Sequence, residues 1–275
     1  QSIITGTNPA THGIYNNGIF DPLGEHMGAW HWFASRKVEN LWEAAGKHGY
    51  LSASVAFPTS VAAGGDFIAP EFWWDGTELD SRFIDAMSVP QGMILEMEKD
   101  IGRYAGGLDL TEAGDRQRYR AAMWVLDHKI APRTKERPFF MSAYFASFDE
   151  MAHQYGVYSK EAAHAIEAID RMLGDLVERV HSMTDDRAVV CVVSDHGTLD
   201  NRYNIRPNVK LREAGLITTD GNGRVTDWRA WSQRAGGMSE IRLKNGQDED
   251  AGKRLAQVMK ELSSDPAFGI LEVLD

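Results

Sequence analysis

Two short stretches of this sequence set carboxylates beside imidazoles. Asp149-Glu150-Met151-Ala152-His153 carries an Asp and a His four residues apart, and Ser194-Asp195-His196-Gly197 carries them as neighbours. Carboxylate oxygen and neutral imidazole nitrogen are the donor set of a hydrolytic site for zinc or a similar divalent cation. At four-residue spacing, Asp149 and His153 can reach one ion. Each stretch follows an apolar run of strand length, 138–145 and 188–193. Ligands collect at the carboxyl ends of strands in open α/β sheets, so both stretches fall where a site is expected. Taken singly, each has a plainer reading: Asp-x-x-x-His is common by chance, and Asp-His-Gly often forms a turn or cap. Their recurrence at consecutive strand ends favours one shared site with Asp149, His153, Asp195 and His196 as metal ligands.

The elements that must position these residues alternate between short β runs and amphipathic helices. Val38, Leu41, Trp42 and Ala45 recur at helical spacing and stop at Gly46 and Gly49. A β-rich run, 50–57, ends at Pro58, and a second helical pattern covers 111–131. A third helix sets Ile166, Ile169, Leu173, Leu176, Val177 and Val180 on one face, and leads into Ala188-Val189-Val190-Cys191-Val192-Val193. That continuously hydrophobic run reads as a strand covered on both faces. Strand, helix and strand in series imply a right-handed crossover and an α/β fold: a mostly parallel sheet flanked by helices. The segment 64–90, with Phe67, Phe72, Trp73, Trp74, Phe83 and Met87 at no clear period, reads as an inserted loop or small cap. A Gly221-Asn222-Gly223 turn marks a hairpin within 218–243, and a last helix covers 249–263. The economical organisation is one domain over 1–275 with the cap inside it.

Composition narrows the partners. A formal net charge of -11 argues against a nucleic-acid duplex, which calls for clustered Lys and Arg. It leaves room for a small phosphate ester, because bound divalent cations invert the field around carboxylates. No apolar run reaches the length of a membrane span. With a single cysteine, Cys191, no intrachain disulfide can form, and redox chemistry assigns no compartment. Cys191 reads as a small core residue. His48, His128, His164 and His181 fall on predicted helices as surface or half-buried residues, and His26 and His31 lie in an aromatic loop.

Thr5-Gly6-Thr7-Asn8-Pro9-Ala10-Thr11-His12-Gly13-Ile14-Tyr15-Asn16-Asn17 resembles the Thr-Gly-x-x-Pro-x-x-His-Gly-Ile-x-x-Asn signature of type I phosphodiesterases and nucleotide pyrophosphatases, members of the alkaline phosphatase superfamily. The Asp149/His153 stretch is similar to the family's Asp-x-x-Gly-His motif, with Ala152 in place of Gly, and Ser194-Asp195-His196-Gly197 resembles its Ser-Asp-His-Gly motif. The resemblance implies an alkaline phosphatase-like core with two Zn2+. Asp149 and His153 would hold the ion that carries the incoming water, and Asp195 and His196 the ion that activates the nucleophile. Asn17 would donate a hydrogen bond to a non-bridging phosphate oxygen, and His12 would be structural. The implied reaction is hydrolysis of a phosphodiester or nucleotide pyrophosphate through a covalent phospho-Thr or phospho-Ser intermediate. Other members of the superfamily keep the metals and change the substrate: phosphonoacetate hydrolases, sulfatases and phosphomonoesterases. A non-catalytic binder of phosphorylated ligands is a further reading. The family's nucleophile precedes its Thr-Gly pair, and a further zinc-binding His follows its Ser-Asp-His-Gly motif. Those positions are expected before Gln1 and after Asp275, so the 275 residues alone are expected to be catalytically inactive.

Overall fold

The computed structural model describes residues 1–26, 29–73, 80–104, 106, 109–201 and 203–274. Its contacts group into two compact units, one formed by 1–14 with 32–200 and the other by 15–31 with 201–275. The sequence reading treated 1–275 as one domain; the structure gives each unit its own apolar core, lined by separate residues.

In the first unit, two short helices, α1 (Ser2–Thr5) and α2 (Pro9–His12), precede α3 (Leu41–Lys47). Asn40 starts α3 with a reciprocal cap: its side chain accepts from Glu43 N at 2.9 Å, and Glu43 accepts from Asn40 N at 3.2 Å. Strand β1 (Leu51–Val55) follows and is buried at every residue. It lies between β2 (Phe67–Ala69) and β3 (Phe139–Ala143), parallel to both. A central strand covered on two faces needs small or apolar side chains throughout, and Leu-Ser-Ala-Ser-Val supplies them. Its serines are not left bare: Trp42 Nε1 donates to Ser142 Oγ at 3.1 Å, which donates to Ser54 Oγ at 3.1 Å.

The 64–90 segment is more than a cap, because it contributes β2 to the sheet. Trp74, within it, lies outside the described residues. Helices α4 (Ser81–Asp85) and α5 (Met93–Ile101) lead to α6 (Glu112–Val125), which runs on through a wider turn at Leu126–Ile130. After β3 come α7 (Ser147–Tyr155) and the long α8 (Lys160–Thr184). The stripe that α8 buries begins with Ala162, Ala165, Ala168 and Met172 and continues through Leu176 and Val180, while Ile166 is exposed. Small residues let the helices approach closely, so the contact face is offset from the one with the largest apolar side chains.

The 188–193 run requires a correction. It forms no strand and pairs with nothing among the described residues; Val189 is 90% and Val192 71% exposed, and Cys191 is exposed as a free thiol instead of buried. Its continuous hydrophobicity records a capacity for burial, but a strand exists only through a ladder with a neighbour.

The second unit contains α9 (Pro207–Glu213), an antiparallel hairpin of β4 (Ile217–Thr219) and β5 (Val225–Trp228), a second hairpin of β6 (Ala230–Ala235) and β7 (Met238–Leu243), and α10 (Glu249–Ser264). The first hairpin turns at 221–223 as its Gly-Asn-Gly sequence requires, with Gly223 at φ 82°. Among the described residues no helix is long and apolar enough to cross a membrane.

Candidate metal-binding site

Asp149 is the third residue of α7 and His153 the seventh, one turn further on. Helical spacing therefore brings them together, with His153 Nε2 3.5 Å from Asp149 Oδ2. Asp149 Oδ1 is buried and has no hydrogen-bond partner, and Ser147 Oγ, on the same turn, is buried and unpartnered as well. A bare buried carboxylate oxygen is an arrangement that a cation or a proton relieves.

Asp195 and His196 sit in the irregular chain beyond 188–193, with Asp195 Oδ2 3.6 Å from His196 Nε2 and both side chains more than half exposed. His196 Nδ1 lies 3.1 Å from the Gly197 carbonyl. A carbonyl only accepts, so the ring donates to it through Nδ1, the kind of contact that orients a metal-ligating imidazole. The four candidates thus form two pairs. Among the described residues, no three of His, Cys, Asp and Glu gather into one metal-binding group.

The two pairs share an electrostatic neighbour. Burial raises the Tyr144 phenol well above its usual value, and the charges of Asp195, Glu71 and Asp149 add to that rise, while Arg118 opposes it. Glu71, which follows β2, is pushed up to about 7, chiefly by burial; Arg118 and a hydrogen bond from Trp73 oppose the rise, and Asp195 contributes to it. Sequence reading missed Glu71. It sits inside the aperiodic 64–90 segment, where no spacing or motif distinguishes a lone carboxylate from its aromatic neighbours.

The remaining candidates divide. His12 is buried, accepts from Ile14 N through Nδ1 at 3.1 Å and meets Ser2 Oγ through Nε2 at 2.9 Å, a structural role. Asn17 belongs to the second unit; it is exposed, and its carbonyl accepts from His31 N at 2.8 Å. His48, His128 and His164 are exposed and His181 half-buried. Trp32 packs edge-on against Trp73, with ring centroids 4.8 Å apart, so this part of the aromatic segment serves packing.

Residues 1–270 match the family described as type I phosphodiesterase / nucleotide pyrophosphatase. The chain belongs to that family. It is 25% identical over 205 residues to the human ectonucleotide pyrophosphatase/phosphodiesterase family member 1, covering 71% of this chain and 18% of that protein. The mouse protein of the same name is 25% identical over 199 residues, with the same coverage. An uncharacterized pyrophosphatase/phosphodiesterase of Schizosaccharomyces pombe is 25% identical over 211 residues, 73% of this chain and 36% of that one. The chain spans about a fifth to about a third of the length of these relatives. The helix-flanked parallel sheet is the α/β core that the family resemblance implies.

Proposed function

We propose that these residues supply the metal-binding side of a zinc-dependent hydrolase acting on phosphodiesters or nucleotide pyrophosphates. The observation that carries this reading is the Asp149–His153 pair, a carboxylate and an imidazole 3.5 Å apart on one helical face, with Asp149 Oδ1 buried and unpartnered. The donor types are those that Zn2+ takes: two carboxylates and two imidazoles, in two pairs, with His196 oriented by the Gly197 carbonyl. Asp149 and His153 would hold one ion, and Asp195 and His196 the other. Such ions supply Lewis-acid polarisation of phosphoryl oxygens and neutralise charge that develops in displacement at phosphorus. The protein's own part is to bring each carboxylate beside its imidazole, on one turn of α7 for Asp149 and His153 and on consecutive residues for Asp195 and His196. Family membership supports the substrate class. The covalent phospho-Thr or phospho-Ser route, and Asn17 as a donor to a phosphate oxygen, rest on the sequence signature alone.

Equilibrium dialysis against Zn2+, followed by titration with AMP, tests the proposal. The protein is expected to bind AMP only when loaded with zinc, and Asp149→Ala combined with His153→Ala should lose the tighter zinc-binding event together with AMP binding. A tightest zinc-binding event that survives the double substitution unchanged would overturn the assignment.

A further inference from the structure

Helix α7 begins without a cap of its own. Ala146 occupies the N-cap position and offers no side-chain acceptor. The exposed donors at a helix start are ordinarily met by a Ser, Thr, Asp or Asn at that position. Here the acceptor comes from another helix. Asp115, on the first turns of α6, is fully buried; its Oδ1 accepts from Ala146 N at 2.9 Å and its Oδ2 from Ser147 N at 2.9 Å. Asp115 Oδ1 also accepts from Arg118 Nη1 at 2.9 Å, and the Arg118 side chain is only 4% exposed.

Burying a carboxylate and a guanidinium is an expensive way to cap a helix, since desolvating each ion costs several kcal/mol before their attraction is counted. A serine at position 146 would accept instead from the amide of Phe148 or Asp149, one turn's worth of local capping that leaves the Ala146 and Ser147 amides unserved. What the distant carboxylate adds is direction. Two parallel charge-assisted bonds to consecutive amides fix where α7 starts and how it is rotated, and a negative charge there also complements the helix dipole. Asp149 lies two residues beyond the second of those amides, and its orphaned Oδ1 faces the interior.

We infer that Asp115, held by Arg118, is the positioning residue of the Asp149–His153 pair: it clamps the first turn of α7 so that the two ligating side chains are preset for a divalent cation. The inference rests on the proposed metal-binding role of that pair. Outer-shell groups that orient metal ligands change affinity by about 10–100-fold when removed.

The test is titration of the metal-free protein with Co2+, read by visible absorption, for wild type, His153→Ala, Asp115→Asn and Arg118→Lys, with thermal melting of each. Asp115→Asn keeps the shape but removes the charge, leaving one acceptor oxygen for two amides. The expected result is a folded variant with affinity about ten-fold weaker or worse and an altered Co2+ spectrum. Asp115→Asn binding Co2+ like wild type, while His153→Ala loses it, would overturn the clamp. If Asp115→Asn does not fold, Arg118→Lys decides: several-fold weaker binding at an unchanged melting temperature supports the clamp, and unchanged binding refutes it. Failure of wild type itself to bind Co2+ would instead remove the metal assignment on which the clamp depends.

Discussion

The two candidate ligand pairs carry the same chemistry on very different supports. Asp149 and His153 stand on a helix whose start is pinned by a fully buried carboxylate, and one of their oxygens is already withdrawn from water. Asp195 and His196 stand on irregular, exposed chain, and a tether near them, Asp200 Oδ1 accepting from Val157 N, is exposed and long at 3.3 Å. Donor type and donor separation are alike in the two pairs, whereas their supports differ in how much ordering a bound cation would itself have to bring about. On the proposed reading, the first pair is largely prearranged and the second leaves more of its organisation to the ion.

The largest expected contrast follows from the two tethers. Asp115→Ala removes one partner of a buried ion pair and leaves two α7 amides without their acceptor, so chemical denaturation should show a loss of about 3–5 kcal/mol. Asp200→Ala removes an exposed, weak acceptor and should stay within about 0.5 kcal/mol of wild type. Equal losses would erase the distinction between the regions.

A smaller effect concerns Glu71, whose carboxyl is raised from 4.5 to about 7 by burial, with Asp195 adding to the rise. Because the folded state holds this proton more tightly than the unfolded state, the stability it contributes is present below about pH 4.5. That contribution is lost as pH rises towards 7. At 1.36 kcal/mol per unit the swing is at most about 3 kcal/mol. In the metal-free protein, the stability difference between Glu71→Gln and wild type should grow in the variant's favour across that window. A pH-independent difference would place Glu71 in ordinary solvent.

The smallest effect separates function from stability at Asp149. Removing a buried, unpartnered oxygen should leave the metal-free protein unchanged or stabilise it by up to about 1 kcal/mol. Asp149→Ala should therefore melt at or above wild type without zinc and lose the shift that zinc gives wild type. A clear loss of stability without metal would make Asp149 a structural residue.

Much of this support was legible from residue order alone. Gly46 and Gly49 announced the end of α3, the Gly-Asn-Gly turn announced the β4–β5 hairpin, and Pro138 with its aromatic run announced β3. Those features are local, so neighbouring residues encode them. Two others are not. Whether 188–193 pairs depends on a partner strand that its own valines cannot specify. Asp115 acts on amides 31 and 32 residues later, and in sequence it is one of two acidic residues at the start of an ordinary helix, beside Glu112. Motif and spacing single out Asp149, His153, Asp195 and His196 as candidate donors; the unequal support beneath them is visible only in three dimensions.

The central claim is that Asp149 and His153 form the prearranged ion site. Isothermal titration of metal-free protein with Zn2+, comparing His153→Ala with His196→Ala, tests it most directly. The account predicts that His153→Ala abolishes the tightest binding event, while His196→Ala leaves that event in place and weakens only a later one. Loss of the tightest event in His196→Ala, with His153→Ala binding like wild type, would contradict it.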